Sequence, residues 1–203
     1  MIRIVRPAVA GLLLAAGLAA CKKEAPATDT TALAKPADTT AAAAATTTTP
    51  PPSKWTGPST VGFAWAANDG EVQLGKLAET KASNADVKAY AKMLVADHTK
   101  MLGEVKALAT KQSVTPDTTM DDVRDLMGHS RDELKDLTDK AKGADWDKDF
   151  IGKMVDDHQK VLDKLQDAVK NTADSTVTKA LTAASGKVQE HLTKAQELQA
   201  KLK

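Results

Sequence analysis

The chain has 203 residues, of which 42% are hydrophobic and 27% charged, the composition of an ordinary soluble protein. Its 28 basic and 27 acidic side chains nearly cancel, which argues against a nucleic-acid binder, since those carry a basic excess on the binding face. A single cysteine, Cys21, excludes a disulfide scaffold and a Cys-rich zinc module.

The first twenty residues read as an address. Arg3 and Arg6 supply a positive start, and Ala8 to Leu18 is an apolar run broken only by glycines. A positive start, a short apolar core and small residues before a cut describe a secretory signal. The run is shorter than the roughly twenty residues a membrane span needs. Leu18-Ala19-Ala20-Cys21 resembles the bacterial lipoprotein processing site, at which the cysteine becomes the first residue and takes lipid on its sulfur and its amine. Several acyl chains anchor durably where one alone is marginal. The expectation is therefore a signal peptide at 1–20 and a membrane anchor through lipid on Cys21. Lys22, where an aspartate would signal inner-membrane retention, is compatible with an outer-membrane lipoprotein facing the periplasm of a Gram-negative cell envelope.

Residues 22–58 are Ala, Thr, Pro and Lys almost throughout. Such a stretch has too few large apolar side chains to offset its ordering entropy, and its prolines favour extended structure. The stretch 21–58 reads as a lipidated cysteine followed by a disordered tether, with the folded domain at 59–203.

From Ser59 apolar residues recur every three or four positions, and Gly and Pro become sparse, which is a helical signal. The pattern predicts five helices, at about Thr60–Ala82, Ala85–Gln112, Met120–Lys142, Trp146–Lys170 and Ser175–Leu202. Ser83 or Asn84 is placed to cap the second, and Asp174 or Ser175 the fifth. Aromatics are only 3% of the chain, so the core must rest on Leu, Val, Ala and Met. Lys88–His98 matches Lys148–His158 at an offset of 60 residues: Tyr90 falls on Phe150, Leu94 on Met154, Asp97 on Asp157 and His98 on His158. This suggests a duplicated αα-hairpin, first with second helix and third with fourth, and a fifth helix added. The fold class is all-α, a helical bundle.

Three histidines fall on apolar stripes. The second helix has a gap between Leu94 and Met101 that His98 fills; in the fourth, His158 lies between Met154 and Val161; in the fifth, His191 lies between Val188 and Ala195. His129 falls on the flank of its helix. His98 lies 15 residues after the turn at Ser83, and His158 lies 15 after the turn at Gly143. His191 lies 18 after the turn at Ala173, so at about 1.5 Å per residue all three reach mid-bundle. Glu71 borders the inward face of the first helix. Two readings stand at this point. Glu71, His98, His158 and His191 can converge as ligands of a divalent transition metal. Alternatively, each histidine is a neutral core residue bonded to a neighbour such as Glu71 or Asp97. Asp97 and Asp157 each precede an inward histidine and point about 100° away from it. They are placed to orient a histidine of a neighbouring helix, or else to lie at the surface near lysines. Met93, Met101 and Met154 lie near the histidines, as soft copper ligands or as core filler.

The run Gly70–Ala78, then Lys81–Lys88, then Met93-Leu94-Val95-Ala96-Asp97-His98, with the later Asp157-His158 and His191-Leu192, resembles the bacterial domain-of-unknown-function family 4142. The resemblance covers residues 60 to about 201. It implies a ferritin-like helical fold in an exported or membrane-associated protein, and no established activity. Ferritin-like di-iron sites use Glu-x-x-His on two helices. Here Val95, Leu126, Val155 and Val188 stand three before the four histidines, so that site is not expected. No nucleophile–base motif and no glycine-rich phosphate loop is found. The expectation is a lipid-anchored envelope protein of non-catalytic, interaction or structural type, with no catalytic residues; the alternative is a metal-binding protein with a mid-bundle His/Glu site. The protein partner is left open.

Overall fold

Helix starts are set by what meets their first unpaired amides. The computed structural model describes residues 53–203; the leader, Cys21 and the tether through residue 52 lie outside the described residues. Five helices follow one another: α1 (Gly57–Lys81), α2 (Ala85–Gln112), α3 (Asp121–Asp139), α4 (Ala144–Asn171) and α5 (Ser175–Lys201). Thr56 and Ser59 form a capping box on α1, with Pro58 in the first turn, where its missing N–H costs nothing. Asn84 accepts from the amides of Asp86 and Val87, and Asp174 from those of Thr176 and Val177. Gly143, at φ 152°, makes the entry into α4, a backbone conformation that favours glycine.

α1 begins three residues before the expected Thr60, and packing begins earlier still. Trp55, within the stretch read as tether, is buried edge-on against Phe63 and donates its indole N–H to Asp167 at 2.7 Å. The capping box and Pro58 start the helix inside a sequence whose Pro, Thr and Ser content reads as spacer.

Short turns join α1 to α2 and α4 to α5, and these are the two closest helix pairs. Gly75 lets α1 approach α2: a Cβ there would stand 2.8 Å from the Val95 side chain. α3 packs on α1 rather than forming a close pair with α4. Gly70 permits that contact, since a Cβ would meet Ser130 Oγ at 2.6 Å. The sixty-residue repeat thus does not fold as two equivalent hairpins. α3 is rich in charge and buries only Val123, Glu133 and Leu137, a stripe wide enough for one main neighbour. Its end is still tied down: Lys81 Nζ donates to the carbonyls of Leu137, Thr138 and Lys140, and the Trp146 indole to that of Leu137. Asp147 accepts from the amides of Ser83 and Asn84, fixing the start of α4 against the α1–α2 turn.

The apolar core forms two clusters. One holds Leu74, Leu94, Trp146, Phe150, Ile151 and Met154. The other holds Trp55, Phe63, Leu162, Leu165, Leu181 and Leu192. Between them along the helices lie the buried polar residues Asn68, Glu71, His98, His158 and His191. Among the described residues no helix is long and apolar enough to cross a membrane.

Candidate metal centre

Each helix of the polar layer contributes from the face its apolar stripe turns inward. α2 brings His98, α4 His158 and α5 His191, each at most 3% exposed. Their ring centroids stand 5.0 Å (His98–His191), 5.5 Å (His158–His191) and 6.0 Å (His98–His158) apart. One nitrogen from each ring lies within 4.8 Å of the other two. Ligand nitrogens around a tetrahedral ion, with bonds of about 2.0–2.1 Å, stand roughly 3.4 Å apart.

The outer nitrogen of every ring is held. His98 Nδ1 lies 2.8 Å from Asn68 Oδ1. The Asn68 amide nitrogen donates to the Ala64 carbonyl at 2.6 Å, which turns its oxygen towards the ring, so Nδ1 carries the proton. His158 Nδ1 donates to the Met154 carbonyl at 2.8 Å. His191 Nε2 donates to Asp97 Oδ2 at 2.9 Å. A neutral imidazole with one N–H keeps a lone pair on its other nitrogen. Those nitrogens, His98 Nε2, His158 Nε2 and His191 Nδ1, are buried and have no hydrogen-bond partner among the described residues. An unsatisfied buried polar atom costs about 1–3 kcal/mol, so three in one place call for a shared partner.

Electrostatics keep the lone pairs free. Burial, then His158 and His191, holds His98 well below the usual imidazole range. Burial, then His191, brings His158 down to about 4, against the opposing bond to Met154. Burial lowers His191 too, with Asp97 partly offsetting it. Of the two sequence readings, the core-histidine one accounts for one nitrogen of each ring and leaves the other unexplained.

Glu71 stands outside the nitrogen triangle. Its Oε1 is 3.7 Å from His158 Nδ1, the nitrogen already bonded to Met154, and its Oε2 is buried without a partner. Burial, then Asp157 and Glu133, raises its carboxyl well above the usual range. Glu71 instead lines a cavity of about 30 Å³ with Asn68, His98, Met101 and His158, room for about one water-sized ligand. Asn68 and Met101 also line a surface cleft of about 360 Å³ that Asp97 and Lys187 border. Met154 holds His158 through its backbone, and Met93 Sδ lies 3.0 Å from Lys194 Nζ, so neither sulfur is placed as a ligand by these contacts.

Asp97 orients a histidine of a neighbouring helix, His191. Asp157 does the same for a different ring: its Oδ1 lies 2.8 Å from Nε2 of His129 on α3, not from any of the three. Asn68 and His129 went unsingled by sequence reasoning. Asn68 could have been found three residues before Glu71, on the inward stripe of α1. The signal for His129 is Glu133 four residues on, the same-face spacing of a helix.

The family model described as a domain of unknown function, DUF4142, matches residues 37–198. No curated protein and no solved structure matches the chain.

Proposed function

This chain belongs to the DUF4142 family, and from that premise we propose that it is a lipid-anchored envelope protein whose helical domain binds one transition-metal ion between His98, His158 and His191. The observation that carries the reading is the set of three buried imidazole nitrogens that face one another with no hydrogen-bond partner. The groups behind the rings are those a histidine ligand uses: an amide oxygen, a backbone carbonyl and a carboxylate, each fixing a tautomer and a ring orientation. Three imidazoles suit zinc, copper, iron or nickel. The small cavity beside His98 and His158 leaves space for a fourth, exchangeable ligand. Two close helix pairs joined through α3 support the ferritin-like part of the reading.

Elemental analysis tests it. The full chain is exposed in turn to zinc, copper and iron, dialysed, and compared with a variant carrying His98→Gln, His158→Gln and His191→Gln. Near-stoichiometric metal in the parent, lost in the variant, is expected. No retained metal and no thermal shift with any ion sinks the reading. The anchor rests on Cys21 and its Leu18-Ala19-Ala20 context. Cys21→Ser is expected to move the protein from the membrane fraction to the soluble one, and unchanged fractionation removes the anchor.

A further inference from the structure

The geometry points to a second divalent-cation site, built from His129, Glu133 and Asp157 where α3 meets α4, and harder in its ligands than the histidine triangle. One ligand atom from each of the three residues lies within 4.8 Å of the other two. His129 Nε2 is 2.8 Å from Asp157 Oδ1 and 3.3 Å from Glu133 Oε1, so both carboxylates aim at one point. His129 and Glu133 share a face of α3 four residues apart, and Asp157 comes from α4.

An ordinary surface ion pair does not account for this arrangement. Glu133 is 6% exposed, and its Oε2 is buried with no partner. Two lysines pair with the carboxylates at longer range, Lys153 Nζ at 3.6 Å from Glu133 and Lys160 Nζ at 3.6 Å from Asp157, and neither reaches the unpartnered Oε2 of Glu133. Among the described residues the one close hydrogen bond to Asp157 comes from His129. A third carboxyl, Glu71, lies nearby, raised by burial first and then by Asp157 and Glu133. A buried carboxyl is accommodated by a proton, by a pairing charge or by a metal. A surface depression of about 280 Å³, lined by Asp122, His129 and Lys160, opens beside the His129 ring. Binding takes the His129 ring in the tautomer with its one proton on Nδ1, which leaves the Nε2 lone pair for the ion. One imidazole with two carboxylates suits Mn²⁺ better than three imidazoles do.

The site stands independently of the triangle. Mn²⁺ is titrated into the full chain and followed by electron paramagnetic resonance, in the parent, in the triple histidine variant described above, and in His129→Gln and Glu133→Gln. Glu133→Gln keeps the side chain's shape, and helicity by circular dichroism guards against misfolding. About one Mn²⁺ per chain is expected in the parent and in the triple variant, with affinity lowered at least tenfold in His129→Gln and in Glu133→Gln. Bound Mn²⁺ in the parent is expected to show coupling to a single imidazole nitrogen. Three outcomes overturn the site: no Mn²⁺ bound at millimolar concentration, affinity unchanged in both single variants, or coupling to several nitrogens, which would place the ion in the triangle.

Discussion

A buried imidazole is ordinary when both nitrogens find partners, and here one of each pair does not. The cost of those three lone pairs has a consequence in acid that does not depend on any metal. Burial and mutual repulsion lower the folded-state pKa of His158 to about 4 and hold that of His98 well below the usual range, while an unfolded histidine titrates near 6.5. Above about 6.5 both states are neutral and the contribution to stability is complete. As pH falls from there, the unfolded chain takes up protons that the folded one refuses, and stability drops until the folded pKa is reached. Carboxyls act the other way. Burial first, then Asp157, raises Glu133 to about 8, so its contribution is full below the usual carboxylate range and is lost as pH rises through 8. The two effects separate by comparison with His158→Gln in metal-free protein. At neutral pH the variant is expected to be less stable than the parent. Urea denaturation should show that gap closing between about pH 6.5 and 4, by up to about 1.4 kcal/mol per pH unit. A gap constant across that range would mean that His158 is not neutral in the fold.

At the scale of helices, most of the architecture was legible in a single chain. Apolar spacing and the caps at Asn84 and Asp174 set α2 and α5 to within a residue or so, because both signals act locally on the backbone. Gaps in the stripes at His98, His158 and His191 marked buried positions for the same reason: a residue's inward direction follows from its own helix. What stayed hidden depends on two helices at once. Whether Asp157 meets His158's partners or His129 is decided by the rotation of α3 against α4, and no periodicity within either helix encodes it. Asn68 is of this kind, since its role exists only when α2 sets His98 opposite it. Glu71 was read onto an inward face and is buried there, yet its depth relative to His158 leaves it beside the triangle rather than in it. The position of α3 was hidden for a different reason. A repeat in sequence suggests a repeat in pairing, but Gly70 gives α3 a closer surface on α1 than α4 offers.

Across the molecule, the triangle sits where the fold is most in need of a tie. α1 with α2 and α4 with α5 pack tightly, whereas α2 with α5 and α1 with α4 touch more sparingly. His98 belongs to the first pair, and His158 and His191 belong to the second. An ion held by all three is therefore a cross-link between halves, placed in the polar layer that interrupts the two apolar clusters. Polar contacts across this boundary near the layer include the Tyr90 hydroxyl to the His191 carbonyl at 3.2 Å, Asp97 to His191 and Lys187, and Glu71 to His158. Metal bound only by the folded state, at about a thousand times its dissociation constant, adds about 4 kcal/mol. For a domain of this size that is a rise in melting temperature of about 8–16 °C, reversed by a chelator. The location of the effect matters more than its size. Hydrogen exchange should slow together in α2 around His98, in α4 around His158 and in α5 around His191, because separating the pairs requires breaking the same three bonds. Protection confined to one helix, or an equal thermal rise in the triple histidine variant, would show that the ion binds elsewhere and that the two pairs are held by packing alone.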